Sequence, residues 1–285
     1  MKIALTAEST VDLPIDLLAQ YDIATVPFAL ILGDKTEWDG AVKGEDLFAF
    51  VEKTGTLPHT SAVNQAQFLE FFKKQLADHD AVIHFSLSGD FSSAYQNAVV
   101  AASAFPGRVT VIDSRSLSTG IALLCLYAHK LIAGGKSPEE IVALVQPRIP
   151  FDQASFGLES VDYLYKGGRC SALAALGANL LKIRPQILVS EGKMKSGKKF
   201  HGPMMKWVSD YIDATLKEFD NPDKEEVFLT YSSAPDEVVA LGKKKLEKAG
   251  FKTIHVTRSG GTISCHCGPH CLGILYLNDG PHPVQ

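Results

Sequence analysis

A segment near residue 265 combines thiol and imidazole side chains within a few positions. It reads Ser259-Gly-Gly-Thr-Ile-Ser-Cys-His-Cys-Gly-Pro-His-Cys271 and places His266 beside a Gly-Pro turn. Thiolates and imidazoles are common zinc ligands, so one interpretation is a metal or redox site. Its candidate ligands are Cys265, Cys267, His270 and Cys271. The other interpretation is a single histidine that binds a small ligand on a tight loop.

The spacing of these side chains favours the second interpretation. We predict an extended strand here, which would point Cys265 and Cys267 to one face and His266 to the other. Cys267 and Cys271 have a spacing that zinc sites use, but no second Cys or His pair elsewhere in the chain completes a structural site. We therefore predict neither a bound metal nor a cofactor.

Short hydroxyl side chains follow three predicted strands or loops. They occur in His59-Thr60-Ser61, Phe85-Ser-Leu-Ser-Gly89 and Asp113-Ser-Arg-Ser116. In a parallel sheet, the loops at the carboxyl ends of the strands form the ligand crevice, and hydroxyls there suit a carboxylate or a phosphate. For any one of these turns, helix capping is the better explanation. Taken together with His266, the three turns predict a binding crevice.

The elements that would position these turns alternate between strand and helix. Predicted strands cover residues 2–6, 23–32, 81–85 and 109–112, with helices at 44–52, 92–104, 118–132 and 139–145. Beyond residue 150 we predict a strand pair across 187–194, strands at 227–231 and 253–257, and a helix at 236–248. This order predicts an α/β fold with two domains. The first, residues 1–155, has a parallel sheet flanked by helices, and the second is an α/β domain over residues 156–285.

The composition is that of an ordinary globular protein. Of the 285 residues, 46% are hydrophobic, and the net charge of -4 gives no reason to expect binding to nucleic acid. The longest apolar helical stretch, residues 121–128, is too short for a transmembrane segment. Five cysteines are an odd number and not a disulfide framework, which favours a reducing cytoplasm.

A lysine-rich segment nearly matches a phosphate-binding P-loop. It reads Gly192-Lys-Met-Lys-Ser-Gly-Lys-Lys199, with Lys199 where a Ser or Thr would bind magnesium. No helix is predicted directly after it to hold a phosphate at its N-terminus. We interpret the segment as a solvated hairpin tip or a basic docking edge.

Several short motifs occur in a specific order along nearly the whole chain. They are Ala7-Glu-Ser-Thr-Val-Asp-Leu13, Thr60-Ser61, Leu87-Ser-Gly89, Val111-Ile-Asp-Ser114, Leu164-Tyr-Lys-Gly-Gly-Arg-Cys-Ser171, Leu181-Lys-Ile-Arg-Pro185 and His266-Cys-Gly-Pro269. In this order they resemble the DegV family of bacterial fatty-acid-binding proteins. The resemblance implies a two-domain α/β fold that buries a long-chain fatty acid, such as palmitate or oleate. It also implies a binding protein that is not an enzyme by itself.

The resemblance assigns roles to individual residues. The carboxyl group of the fatty acid would be bound by Thr60, Ser61, Ser88, Gly89 and His266. Arg169 and His201 would face a partner, a fatty acid kinase subunit of the dihydroxyacetone-kinase type to which the carboxyl is presented. Two alternatives remain open: a Cys/His metal or redox protein, and a small-molecule enzyme with Ser88 as nucleophile and His266 as acid or base.

The chain departs from the family pattern at several positions. Glu8 stands for the usual Asp, Asp90 for a Thr, His201 for an Arg, and Cys265 and Cys267 for Thr residues around the histidine. If Asp90 faced the ligand, its charge would repel the carboxylate of a fatty acid.

Overall fold

The computed structural model describes residues 1–169 and 183–280, in which strands and helices alternate. Up to residue 145 the elements are β1 (Ile3–Glu8), α1 (Ile15–Gln20), β2 (Ile23–Val26), β3 (Ala29–Leu32), β4 (Lys35–Trp38), α2 (Gly44–Thr54), β5 (His59–Ser61), α3 (Gln65–Asp78), β6 (Ala81–Ser86), α4 (Ala94–Ala102), β7 (Val109–Asp113), α5 (Thr119–Ala133) and α6 (Pro138–Val145). The later elements are β8 (Asp152–Gly157), α7 (Asp162–Lys166), β9 (Arg184–Ser190), β10 (Lys193–Phe200), α8 (Met204–Glu218), β11 (Glu226–Tyr231), α9 (Asp236–Lys248), β12 (Thr253–Arg258), α10 (Gly261–Cys267) and β13 (Leu272–Leu277).

The first sheet is parallel and packed against helices, which confirms the predicted α/β fold. Its strand order is β2-β1-β6-β7, and each neighbouring pair runs in the same direction. All residues of β1 and β6 are buried, and α3, α4 and α5 pack against the sheet. Continuous burial of this kind is typical of strands that are covered on both faces.

The extended run predicted over residues 23–32 is two strands that belong to different sheets. Pro27 separates them, and because proline has no backbone N–H to donate, it interrupts a ladder of hydrogen bonds. The second of these strands, β3, lies in a small antiparallel sheet of order β4-β3-β5. This small sheet carries Thr60 on β5.

The second large sheet is mixed and has the order β10-β9-β8-β13-β11-β12. The predicted strand pair around residues 187–194 is the antiparallel hairpin β9–β10. Trp207 and Tyr211 of α8 are fully buried in the core beside this sheet. The predicted domain boundary near residue 155 falls inside β8, an inner strand of the sheet. A division of the chain at that point stays a prediction.

Helix α5 packs between the two large sheets. It contacts β1 and β6 of the first sheet and β8, β11 and β13 of the second. Of its 15 residues, 11 are buried. A helix that is apolar on all sides needs such surroundings, because no face of it suits water. The hydrophobic core that includes α5 therefore extends across both sheets.

The strand that we predicted at Cys265 to Cys267 is wrong, because this segment is the helix α10. Its first N–H groups have no partner within the helix and find carboxylates elsewhere. Gly260 N donates to Asp12 at 2.8 Å, and Gly261 N donates to Asp39 at 2.7 Å. Both carboxylates are more than 200 residues away in the sequence, so the local alternation of Cys and His could not reveal them.

Candidate functional site

The side chains of Thr60 and His266 meet although 206 positions separate them in the sequence. Thr60 lies on β5, and His266 lies on α10, which packs against β5. Thr60 Oγ1 is 3.0 Å from His266 Nε2, a normal hydrogen-bond distance. The fold thus brings together two of the residues that the sequence analysis selected for a carboxyl group.

The imidazole of His266 is uncharged at neutral pH. Burial, together with the nearby Arg169 and His59, lowers its pKa to about 4. Nδ1 has no hydrogen-bond partner among the described residues. A Cβ atom at position 167 would lie 2.7 Å from Nδ1, which is closer than van der Waals contact. Only glycine at this position avoids a clash with the imidazole ring. Because a buried N–H without an acceptor is rare, we place the proton on Nε2, which then donates to Thr60.

Thr60 and His266 line a pocket of about 360 Å³. The other polar side chains of this pocket are Ser61, Ser92, Ser93, Thr262 and Arg169. Arg169 is exposed and lies at the rim, whereas Thr262 is buried. The pocket therefore offers several short hydroxyl groups, of which that of Thr262 is buried, and one cationic side chain at its edge, a set that suits an anionic head group.

A second cavity, of about 50 Å³ and almost entirely apolar, adjoins the polar pocket. The two share the side chains of Leu117, Met194, Ile263 and His266. The apolar cavity is further lined by Phe156, Leu164, Cys267, Cys271 and Leu275. A polar compartment next to a hydrocarbon compartment suits a ligand with a polar head and an apolar tail.

Ser88 and Gly89 make contacts within the protein and do not line the pocket formed by the described residues. Ser88 Oγ donates to the carbonyl oxygen of Gly192 at 2.8 Å. Gly89 N lies 3.4 Å from a carboxylate oxygen of Asp113. Leu87, directly before them, does line the pocket. A contact of Ser88 or Gly89 with a ligand carboxyl stays a prediction.

The tip of the β9–β10 hairpin docks on loops of the N-terminal sheet. Glu191 and Gly192 both have a left-handed backbone, with φ of 54° and 78°, as a two-residue type I′ turn requires. Arg115 donates to the carbonyl oxygen of Glu191, and Lys193 lies 3.7 Å from Asp90. Lys193 thus offsets the negative charge of Asp90, which would repel a carboxylate if it faced the ligand.

The segment that nearly matches a P-loop forms β10 and the hairpin turn before it. Several of its lysines form ion pairs with nearby carboxylates: Lys195 with Glu191, and Lys198 with Glu218. Part of the positive charge that suggested a basic docking edge is therefore neutralised within the protein.

The thiols around His266 are buried. Burial raises the pKa of Cys265 to about 12, and a hydrogen bond with the Cys267 thiol together with burial raises the pKa of Cys271. His270 Nε2 lies 3.7 Å from a carboxylate oxygen of Glu159. In the described residues, no three His, Cys, Asp or Glu side chains converge on a point where a metal ion would fit.

The two residues predicted to face a partner are both exposed. Arg169 Nη1 donates to the carbonyl oxygen of Gly167 at 2.6 Å, at the rim of the pocket. His201 directly follows β10. Their role towards a partner stays a prediction.

Three hydroxyl residues of the pocket were not among the site residues predicted from the sequence, namely Ser92, Ser93 and Thr262. Thr262 stands four residues before His266. In the predicted strand, four residues would separate the two by about 13 Å, whereas in a helix they are neighbours on one face. A correct helix assignment would have identified Thr262.

The fold and the site define an α/β protein with a polar pocket beside an apolar cavity. A family model described as the uncharacterised protein, DegV family, matches residues 2–279. The chain therefore belongs to the DegV family.

Similar proteins cover nearly the full length of the chain. A DegV domain-containing protein of Caldanaerobacter subterraneus subsp. tengcongensis is 30% identical over 279 residues, which are 96% of this chain and 98% of that protein. A structure described as fatty acid binding of a DegV family protein from Thermus thermophilus has a TM-score of 0.90 at 26% identity and covers 97% of this chain and 99% of its own. A DegV lipid-binding protein from Thermotoga maritima has a TM-score of 0.86 at 26% identity and covers 97% of this chain and 98% of its own.

None of the helices in residues 1–169 and 183–280 is both long and apolar enough to cross a membrane.

Proposed function

We propose that this protein binds a long-chain fatty acid, with the carboxyl group in the pocket of Thr60 and His266 and the hydrocarbon tail entering the adjoining apolar cavity, which has to widen beyond its volume of about 50 Å³ to hold the whole chain. The observation that carries the proposal is the position of His266, which lines both compartments. The relatives described as fatty-acid-binding or lipid-binding proteins support it. Palmitate and oleate are the ligands that we expect.

The two compartments would contribute differently to binding. Burial of one methylene group is worth about 0.8 kcal/mol, so the tail would supply most of the affinity. A hydrogen bond contributes about 1 kcal/mol net, and about twice that when one partner is charged. The pocket residues would therefore fix the orientation of the ligand and the identity of its head group.

The proposal is tested by identifying what the purified protein contains. Protein produced in a bacterial host, where fatty acids are abundant, should carry about one acyl chain per molecule. Denaturing extraction followed by mass spectrometry measures this ratio, with an unrelated protein of similar size from the same host as the control. Protein that is free of lipid and also fails to bind added palmitate or oleate would contradict the proposal.

We also propose that the rim around Arg169 presents the carboxyl group to a separate kinase subunit. The support for this step is that Arg169 is exposed and at the same time lines the pocket. Oleate-loaded protein, ATP and such a subunit should together form an acyl phosphate, detectable as hydroxamate after trapping with hydroxylamine. Absence of product with a subunit that is active on another loaded carrier would contradict this step.

The geometry of Ser88 does not favour the alternative of a hydrolytic enzyme. A nucleophilic serine needs a base within hydrogen-bond reach of its hydroxyl group. The hydroxyl of Ser88 donates to a backbone carbonyl of the hairpin, and His266 Nε2 faces Thr60. We therefore propose binding at this site, and not a reaction carried by a Ser88–His266 pair.

A further inference from the structure

The helix α10 places a second polar side chain beside His266. Thr262 and His266 are four residues apart in this helix, so they lie next to each other on one face, and both line the polar pocket. Thr262 is only 3% exposed. Its hydroxyl oxygen has no hydrogen-bond partner among the described residues.

A buried hydroxyl group without a hydrogen-bond partner lowers the stability of the folded protein, so such groups are rare in native structures. Of the other hydroxyl groups of the pocket, Thr60 Oγ1 is bonded to His266, Ser92 Oγ accepts from Ala94 N at 3.1 Å, and the side chains of Ser61 and Ser93 are exposed. The remaining unpartnered atom of the pocket, His266 Nδ1, faces the backbone at Gly167. Thr262 is therefore the one buried polar side chain among the described residues that line this pocket, and no hydrogen bond within those residues occupies its hydroxyl.

The direction of the Thr60–His266 hydrogen bond adds a second donor. With the proton of His266 on Nε2, this nitrogen donates to Thr60 Oγ1, and the hydroxyl hydrogen of Thr60 is free to donate onwards. A carboxylate has two oxygen atoms that each accept hydrogen bonds. Thr60 and Thr262 can supply one hydroxyl donor to each of them.

We propose that Thr262 is a head-group residue of this protein, whose hydroxyl donates to the second oxygen of the bound carboxylate. This inference rests on the proposed function. It makes Thr262 a residue that selects an ionised carboxylate over a head group with a single oxygen. An alcohol of the same chain length would use one of the two donors and leave the other unpaired.

The change Thr262→Val tests the proposal, because valine keeps the shape of threonine and removes only the hydroxyl. We expect the Kd of oleate to rise about tenfold, while the Kd of oleyl alcohol changes by less than about twofold. The change Thr262→Ser, which keeps the hydroxyl, should retain most of the affinity for oleate. Isothermal titration of the delipidated full chain with each ligand measures these values.

The matched control is Thr10→Val. Thr10 is also a fully buried threonine whose hydroxyl has no partner in the described residues, but it lines neither compartment of the site. Its replacement should leave the Kd of both ligands unchanged. Thermal midpoints of the ligand-free variants should show that Thr262→Val and Thr10→Val fold as well as the parent.

The possible outcomes separate the inference from the proposed function. If Thr262→Val binds oleate as tightly as the parent does, while Thr60→Val binds it more weakly, the inference is wrong and the proposed function stands. If Thr262→Val loses oleate and oleyl alcohol equally, the residue has only a structural role, and the inference is likewise wrong. If the delipidated parent does not bind oleate at all, the proposed function fails and the inference fails with it.

Discussion

At the scale of single residues, the main result is a histidine without charge in a pocket that we assign to a carboxylate. The pKa of about 4 means that His266 is neutral at physiological pH. The inner part of the pocket would therefore hold the head group through hydrogen bonds from hydroxyl groups and not through an ion pair. Among the described residues that line the pocket, Arg169 carries the formal positive charge, and it is exposed at the rim and screened by water.

The lowered pKa of His266 predicts a dependence of stability on pH. In the unfolded chain its pKa is near 6.5, and in the folded protein it is about 4. Between these values the unfolded state binds a proton that the folded state does not bind, so the free energy of unfolding falls as the pH falls from about 6.5 to about 4. The change His266→Gln should remove the contribution of His266 to this decrease in the free energy of unfolding, which is on the order of 3 kcal/mol.

Urea denaturation of the ligand-free parent and of His266→Gln, at steps between pH 7.5 and pH 4, measures the effect. Contributions of all other groups cancel when the two curves are subtracted. Curves that run parallel through this window would show that His266 keeps its ordinary pKa in the folded protein.

At the scale of elements, the hairpin β9–β10 connects the two large sheets. Its turn contacts the loop after β6 through Ser88 and the loop after β7 through Arg115. Met194, directly beyond the turn, lines both compartments of the site. The position of the hairpin therefore affects both the stability of the protein and the shape of the site.

The geometry of the turn predicts that replacing Gly192 lowers the stability of the protein. Its φ of 78° disfavours any other residue, and an added Cβ would lie 2.8 Å from Ser88 Oγ. The change Gly192→Ala should lower the free energy of unfolding by about 1–3 kcal/mol. The control is Gly135→Ala, because Gly135 has a φ of 77° and no atom within 4 Å of the added Cβ.

Chemical denaturation of both variants separates the two causes. The cost at Gly135 reports the backbone strain alone, and the additional cost at Gly192 reports the contact with Ser88. Equal losses at the two positions would mean that the hairpin tip does not press on Ser88.

Elements with strong local signals could be predicted from the sequence. The helix predicted at residues 236–248 is α9 (Asp236–Lys248), and the hairpin β9–β10 lies where its turn residues placed it. The helix α10 could not be predicted, because Asp12 and Asp39, which bind its first N–H groups, are distant in the sequence. The contact between Thr60 and His266 could not be predicted from the residues alone either. The sequence showed three hydroxyl-rich turns and a histidine, but not which of the turns lies next to the histidine.

At the scale of the whole molecule, the contact between the two sheets contains a buried carboxyl group. The carboxylate oxygens of Asp152, on β8, are buried without a partner among the described residues. An added Cβ at Gly120 of α5 would lie 2.4 Å from one of them, so the group sits tightly against this helix. Burial raises the pKa of Asp152 to about 7, although the nearby Ser116 hydroxyl acts in the opposite direction.

This carboxyl group predicts a second dependence of stability on pH, opposite in sign to that of His266. Between about pH 4 and pH 7 the folded protein keeps a proton on Asp152 that the unfolded chain has released. Its contribution to stability is therefore present in full below about pH 4 and is lost as the pH rises through about 7. We expect the change Asp152→Asn to abolish this decrease in the free energy of unfolding, which is no more than about 4 kcal/mol.

The free energy of unfolding of the parent and of Asp152→Asn, measured between pH 5 and pH 9, tests this expectation. The variant should become more stable relative to the parent as the pH rises. A constant difference between the two proteins over this range would show that Asp152 ionises as it does in water.

The position of α5 between the sheets also has a consequence for synthesis on the ribosome. The strand β13 (Leu272–Leu277), against which α5 packs, emerges about 140 residues after the helix does. At a usual rate of about 5–20 residues per second, one apolar side of α5 stays uncovered for roughly 7–30 s. Throughout that interval the nascent chain exposes apolar side chains of α5 to solvent. We therefore expect chaperones that act near the ribosomal exit to bind this helix.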